Sequence, residues 1–216
     1  MGKPWADDMV HVAHGMVSLE DGALSTRTGR VIFLEDVLNT AVAKAGEIIA
    51  EKNPDLENRE LTAEQVGVGA AVFAMLFNGR IKDVVFDYDK VLNFDGETGP
   101  YVQYTYARCC SLLEKCAPEG GDFDEDGIAN DEAYALVKAL EKFPESVKAA
   151  GEKYEPSIVT RQIVDIAQAF NKFYFEHNIK DAAPAVKNAR LALVGATKQV
   201  IESGLALLGI AAPQRM

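Results

Sequence analysis

The chain is poor in the residues that mark extracellular, metal-binding or membrane proteins. Its 216 residues include three cysteines, three histidines and one tryptophan. An odd number of cysteines argues against a disulfide framework, and no apolar run reaches the roughly 18 residues that a membrane-spanning helix needs. Residues 1–8 are polar and carry no signal-peptide pattern. We therefore expect a cytoplasmic protein without a membrane segment.

Positive charge is also scarce, with 22 Lys and Arg against 33 Asp and Glu and a formal net charge of −11. This deficit counts against nonspecific binding to nucleic acids, which depends on many cations facing phosphates. The charge is uneven, however. Residues 117–132 carry seven acidic and no basic side chains, whereas residues 133–216 carry eleven basic and eight acidic ones. Overall acidity therefore leaves room for an RNA-binding face on the C-terminal half.

Two groups of potential metal ligands match known sites poorly. Cys109, Cys110 and Cys116 have a spacing that fits no common zinc site, and we interpret them as small apolar residues on a helix face. The acidic run at 122–127 resembles the first half of a calcium loop, but position 12 of that loop would be Ala133 instead of glutamate. We expect no metal site here, although a helical scaffold with an acidic calcium loop remains an alternative.

Hydrophobic spacing predicts a mainly helical protein with one strand, at residues 9–17. We expect Thr62 to cap the second helix, and residues 83–93 are ambiguous between a short helix and a loop. A buried strand needs neighbours, and the sequence offers none for 9–17, which is typical of a piece of a larger α/β protein. The predicted helices are 35–52, 62–77, 100–116, 131–142, 144–153, 157–177 and 184–208.

Gly67 and Gly69 lie inside the second predicted helix. Each costs about 1 kcal/mol relative to alanine in a helix interior. Close helix packing and a bound partner are the two explanations of that cost, and we favour packing.

The loop at residues 24–30, LSTRTGR, is suited to a phosphate. Arg27 and Arg30 offer forked, permanently charged donors, Ser25 offers a hydroxyl, and Gly29 lets the backbone approach a ligand closely. Taken alone, the same composition is also typical of an ordinary surface loop.

A second segment, residues 96–108 with the sequence GETGPYVQYTYAR, opens a helix sharply. Tyr101, Tyr104 and Arg108 share one helix face by their spacing, and aromatic rings with arginine are what RNA bases and phosphates bind. An aromatic core face behind a capping motif is the alternative. A third segment combines Arg190, in the run NARL at 188–191, with the terminal PQRM at 213–216.

In this order the three segments resemble the C-terminal part of arginyl-tRNA synthetases, which are class I enzymes. The resemblance covers residues 5–216 apart from the acidic connector. It implies a mainly α fold, with a helical DALR anticodon-binding domain at 96–216, connecting helices that contact the tRNA at 34–95, and a short β remnant of the Rossmann-like catalytic domain at 1–33. Lysines usual in the family's signature loop are replaced here by Ala23 and Thr28.

The resemblance also implies functional residues. Ser25, Arg27 and Arg30 would act on the ATP phosphates as catalytic residues, with His14, Gly15, Met16, Val17 and Gly29 on the ATP side. The tRNA-contacting or junction residues would be Tyr101, Gln103, Tyr104, Arg108, Arg161 and Arg190. Arg190 could equally tie helices together or face RNA.

The implied reaction of the parent enzyme is the ATP-dependent ligation of arginine to tRNA(Arg), with Mg²⁺ accompanying ATP and no cofactor intrinsic to this chain. The chain has no His-x-Gly-His motif, which class I enzymes need on their nucleotide-binding half. We therefore expect the chain alone to be catalytically inactive, and to be a monomer. A stand-alone tRNA-binding module or regulatory paralogue is the alternative, and the unpaired strand argues against it.

Overall fold

The computed structural model describes residues 2–19, 33–116 and 122–216. Over these ranges the predicted mainly α fold is confirmed. Within the described residues, two short strands and two 3-10 helices, Ala6–Asp8 and Glu125–Ile128, accompany the α-helices. The elements are β1 (Val17–Leu19), α1 (Leu34–Lys52), α2 (Arg59–Phe77), β2 (Val84–Phe86), α3 (Tyr88–Val91), α4 (Gly99–Lys115), α5 (Asp131–Lys153), α6 (Ser157–Glu176) and α7 (Pro184–Leu207).

Side-chain caps fix the starts of α4 and α5. Thr98 Oγ1 accepts a hydrogen bond from the Tyr101 backbone N–H at 3.2 Å, and Asn130 Oδ1 accepts from the Ala133 N–H at 2.9 Å. Each cap satisfies a backbone donor that the first helical turn leaves without a partner. The predicted cap at Thr62 was wrong, because α2 begins at Arg59 and Thr62 lies buried inside it.

Pro144 lies inside α5, where the sequence predicted a break between two helices. Proline removes one backbone hydrogen bond and crowds the preceding turn. The helix nevertheless continues, and Leu136, Phe143 and Ala150, which are spaced seven residues apart, are all buried. Their packing in the main core offsets the local cost of the proline.

The predicted strand at 9–17 was wrong in its extent, because only Val17–Leu19 is a strand and residues 9–16 have no regular secondary structure. The expected lack of a partner strand was also wrong. β1 pairs in parallel with β2, with Val17 opposite Val84. A strand of three residues is too short to show the alternation of apolar and polar residues that predicts a strand. For this reason β2 was not recognised within the ambiguous stretch at 83–93.

In the described part of the chain two hydrophobic clusters form the core, the larger between α4, α5, α6 and α7 and the smaller between α1 and α2. Gly67 confirms that its helix is closely packed, since a Cβ there would lie 2.6 Å from Val42 Cα. By length and composition alone α2 would pass as a membrane span, but 44% of that apolar window is buried inside the protein. Its apolar residues are used by packing on α1 and α4.

Candidate functional site

A wide groove of about 1150 Å³ opens between the α1–α2 connection, α4, the end of α6 and the C-terminus. Three aromatic side chains line it. Phe175 is 85% exposed, Tyr104 41% and Tyr174 38%. Large aromatic surface is costly to leave in water, so three such rings in one groove indicate a binding surface.

Arg108 also lines this groove, and its guanidinium contacts two of the rings. Its guanidinium carbon is 4.8 Å from the centroid of Tyr104 and 5.1 Å from that of Tyr174. The guanidinium also donates to Asn171 Oδ1. Tyr104 and Arg108 meet because they are one helical turn apart on α4, and Asn171 and Tyr174 face them from α6. The arginine is therefore held in one orientation by cation–π contacts and a hydrogen bond.

The side chain of Asn171 extends this network into the bundle. Its Nδ2 donates to the Tyr101 hydroxyl at 2.9 Å and to Thr105 Oγ1 at 3.0 Å. Tyr101 is half-buried against the main core and does not line the groove. It supports Arg108 through Asn171, while Tyr104 and Arg108, which share one helix face as the sequence predicted, both line the groove.

Gln103, which was predicted to contact RNA or to form a junction, lies at a junction and not on the surface. It is fully buried, and its Nε2 donates to the backbone carbonyls of Gln65 at 3.0 Å and Ala211 at 2.8 Å. A side chain without exposed surface cannot touch an RNA. Gln103 therefore serves only as a junction between elements.

The two remaining predicted arginines lie away from the groove lining. Arg161 is exposed on α6, with its guanidinium carbon 5.8 Å from the ring centroid of Phe77. Arg190 Nε donates to the Gly127 carbonyl at 3.1 Å, and its Nη1 donates to the Asn178 carbonyl. Two roles were left open for Arg190. In the structure it joins the 3-10 helix at Glu125–Ile128 and the α6–α7 connection to α7.

Sequence reasoning missed Tyr174 and Phe175. Both lie in the last turn of α6, in the aromatic run Phe173-Tyr174-Phe175. Phe173 is fully buried, whereas Phe175 points into solvent. The available signal was the run of three consecutive aromatic residues, because three neighbouring residues of a helix cannot all lie on its one buried face and at least one ring must be exposed.

The groove has a nearly balanced charge despite the acidity of the chain. Its lining includes four basic side chains and three acidic ones, which are Arg108, Lys115, Lys180, Arg215, Asp55, Glu57 and Glu114. Arg215 Nη2 lies 2.7 Å from Glu114 Oε1 in an exposed ion pair. The groove is thus much less negative than the molecule as a whole.

His177 is also among the residues that line the groove. Its Nε2 lies 3.2 Å from Glu132 Oε2. The carboxylate of Glu132 lies at the start of α5, where its own backbone N–H and then His177 hold its pKa below the ordinary value. This pairing fixes the histidine in the lining of the groove.

The N-terminal segment is held by its backbone against the α2–β2 connection. The Gly15 N–H donates to the Arg80 carbonyl at 2.7 Å, and the Met16 N–H donates to Asp83 Oδ1 at 2.7 Å. A Cβ at Gly15 would lie 2.2 Å from the Lys82 carbonyl oxygen, so only glycine fits. Among the residues predicted on the ATP side, the side chains of His14, Met16 and Val17 are exposed or partly exposed.

Residues 20–32 lie outside the described part of the chain. They include the predicted signature loop, with Ser25, Arg27, Gly29 and Arg30, and the two departures from the family pattern, Ala23 and Thr28.

The cysteines behave as small apolar residues. Cys109 and Cys116 are buried and Cys110 is partly buried, and burial raises the pKa of the Cys109 thiol. In the acidic connector Asp124 Oδ1 accepts from the Asp126 N–H at 3.0 Å. Within residues 2–19, 33–116 and 122–216, no group of three His, Cys, Asp or Glu side chains is placed to hold a metal ion.

Comparison with known proteins gives two family matches. Residues 102–216 match the family model described as DALR anticodon binding domain. Residues 1–88 match that described as tRNA synthetases class I (R), catalytic domain. Together the two models cover nearly the whole chain.

Individual relatives agree with these matches. The arginine–tRNA ligases of Halothermothrix orenii and Clostridioides difficile are 52% and 51% identical to the chain over 217 residues, covering 100% of it and 38% of each relative. The solved arginyl-tRNA synthetase of Thermus thermophilus has a TM-score of 0.88 at 34% identity, over 95% of this chain and 35% of that one. The chain thus spans little more than a third of its relatives' length. It belongs to the arginyl-tRNA synthetase family, and its helical bundle is a DALR anticodon binding domain.

Proposed function

We propose that this chain is the tRNA-binding part of an arginine–tRNA ligase, and that its groove holds the anticodon loop of tRNA(Arg). The observation that carries the proposal is the arrangement of Arg108 between Tyr104 and Tyr174, beside the exposed Phe175, in a domain of the DALR family. Relatives with this domain are named arginine–tRNA ligases.

The groove offers what unpaired bases bind. Bases of a single-stranded loop stack on aromatic rings and on guanidinium planes, and each base stacked on an aromatic side chain contributes about 1–3 kcal/mol. Phe175 offers a whole ring to solvent, and Tyr104 and Tyr174 offer the faces and edges that Arg108 leaves open. The charged donors of Arg108 and Lys115 line the same groove and suit phosphate oxygens.

The rest of the chain follows the family. We assign residues 1–33 to the end of the catalytic domain, 34–95 to helices that contact the tRNA, and 96–216 to the anticodon-binding domain. The match to the catalytic-domain family model extends to residue 88 and therefore includes most of the second of these regions. In the whole enzyme, ATP activates arginine before its transfer to tRNA. Gly29 and residues 14–17 lie on the ATP side in this proposal, and the catalytic residues are Ser25, Arg27 and Arg30.

Cations and hydroxyls placed at the ATP phosphates stabilise the charge that grows on a leaving pyrophosphate. Mg²⁺ arrives with ATP, and the described residues present no ligand cluster of their own for it. We also propose that the protein is a monomer and that it is located in the cytoplasm.

Binding of the purified chain to tRNA(Arg), compared with a tRNA for another amino acid, tests the proposed function. Phe175→Ala removes the most exposed ring of the groove. We expect it to weaken binding about 5- to 150-fold, which corresponds to the ~1–3 kcal/mol of one stacked base. Tyr134→Ala is the matched control, because Tyr134 is 66% exposed on α5 and does not line the groove. Equal affinity for both tRNAs, or an equal loss of affinity in both variants, would contradict the proposal that the groove is the anticodon site.

A further inference from the structure

The C-terminal segment, residues 209–216, forms one wall of the groove. Gly209 turns the chain out of α7 with a φ of +71°, and Gln214, Arg215 and Met216 line the groove. Met216 also packs on the smaller core cluster. Its backbone oxygen accepts from Asn53 Nδ2 at 3.1 Å. The position of the segment therefore decides the shape of the groove on this side.

Gln103 holds this segment from inside the protein. Its Nε2 is the donor to the Ala211 carbonyl, at 2.8 Å, and to the Gln65 carbonyl of α2, at 3.0 Å. Gly69 makes this possible. A Cβ there would lie 2.7 Å from Gln103 Nε2 and 3.0 Å from Ile210 Cγ2. The missing side chain thus lets α2, α4 and the C-terminal segment meet at one point.

A buried amide is an expensive way to fill this space if packing is its only purpose. Gln103 is 0% exposed, and its Oε1 has no hydrogen-bond partner among the described residues. An apolar side chain of similar volume would avoid that desolvation cost. What an apolar side chain cannot supply is direction, since a hydrogen bond fixes where its acceptor lies.

We propose that Gln103 is a positioning residue: by holding the Ala211 carbonyl, it sets where Gln214, Arg215 and Met216 stand in the groove. Pro213 transmits the position, because it is buried and its ring restricts φ. The RNA-binding part of this inference rests on the proposed function of the groove, whereas the structural part does not.

Gln103→Met tests the inference, because it keeps an unbranched side chain of similar size and removes both N–H donors. Two methionine methyl groups labelled with carbon-13 report on the structure. Met216 reports on the C-terminal segment and Met75 on α2. We expect the Met216 methyl resonance to move toward its random-coil position while the Met75 resonance keeps its native shift.

Gln162→Met is the matched control. Gln162 is also a buried glutamine, whose Nε2 donates to the Ala139 carbonyl at 2.8 Å between α6 and α5. We expect no change at Met216. If Gln103→Met fails to fold, Gly69→Ala disturbs the same point from α2 and carries the same expectation. A native Met216 resonance in a folded variant at position 103 or 69 would overturn the inference.

A double-mutant cycle tests the effect on RNA binding. We expect Gln103→Met to weaken binding of tRNA(Arg) about 5- to 10-fold, the equivalent of one lost hydrogen bond. In a chain that already carries Arg215→Ala and Met216→Ala, the same substitution should change the affinity less than about two-fold. An equal loss in both backgrounds would show that Gln103 does not act through the segment. If the unaltered chain binds no tRNA, the proposed function fails and the methyl resonances alone decide the positioning role.

Discussion

Gly204→Ala tests how tightly α7 packs against α6 in the larger core. A Cβ at Gly204 would lie 2.4 Å from Ile163 Cγ2 and 3.3 Å from Phe143 Cε2. Ile163 is fully buried and β-branched, so its methyl group has little freedom to turn aside. Overpacking a core costs about 1–3 kcal/mol, and this short distance puts the cost near the upper end. Alanine's better helix propensity offsets about 1 kcal/mol, which leaves a net loss of about 2 kcal/mol.

Gly195→Ala provides a control in the same helix, because a Cβ at Gly195 would meet nothing within 4 Å. We expect it to stabilise the protein by up to about 1 kcal/mol. For a chain of this size 1 kcal/mol corresponds to about 2–4 °C in Tm. Thermal unfolding followed by far-ultraviolet circular dichroism should therefore show Tm falling by about 4–8 °C for Gly204→Ala and rising by up to about 4 °C for Gly195→Ala. An equal rise in both variants would refute the close approach of α6 and α7.

Three further changes have defined outcomes. Gly67→Ala should destabilise the protein by about 2 kcal/mol in denaturant titrations, since its Cβ would lie 2.6 Å from a backbone atom of α1 and the gain in helix propensity offsets about 1 kcal/mol of the overpacking cost. Gly46→Ala meets only an ordinary contact at 3.5 Å and should be neutral or stabilising. Glu155→Ala removes the carboxylate that accepts from the Arg80 backbone N–H at 3.3 Å, and we expect about 5-fold faster hydrogen exchange in β1. The pKa of Glu132 is lowered in the folded protein, first by its own backbone N–H. The ionised carboxylate therefore stabilises the folded state at pH values above the pKa of the unfolded chain, and this stabilisation is lost as the pH falls through the lower pKa of the folded protein. The stability advantage over Glu132→Gln should therefore be largest above about pH 5 and shrink below about pH 4.

The helical architecture could be predicted where local chemistry and tertiary packing agree. The segment at 96–108 correctly predicted a sharp entry to α4, and the spacing of Tyr104 and Arg108 correctly put them together on one face. Pro144 led to the wrong prediction of a helix break, because the effect of a proline is local. The apolar residues of α5 that keep the helix continuous are buried against α6, and this packing is not visible in the local sequence. The β1–β2 pairing is set by contacts 67 residues apart in sequence, such as the hydrogen bond from Met16 to Asp83. Contacts between residues so far apart in the sequence cannot be predicted from a local sequence pattern.

The candidate site could be predicted only on its α4 side. Sequence spacing identifies which residues share a helix face, and this was enough for Tyr104 and Arg108. It does not identify which face meets solvent. For that reason the sequence left an RNA contact and a junction role both open for Gln103, which is fully buried. Phe175 was left out although the aromatic run at 173–175 gave a local signal, because the run alone does not show which of its rings is exposed where the bundle ends.

The acidity of the chain is compatible with the proposed function because of where the charges lie. Pairing of Arg215 with Glu114 leaves Arg108, Lys115 and Lys180 as the groove's other cations. Three phosphate contacts on a single-stranded loop give a slope of about −2 for the logarithm of affinity against the logarithm of salt concentration. Such a shallow dependence means that most of the affinity comes from stacking, about 1–3 kcal/mol for each base. The net charge of −11 disfavours contacts between RNA and the rest of the protein surface. Under the proposed function, the acidity therefore weakens nonspecific binding more than it weakens binding of a tRNA whose loop fits the groove.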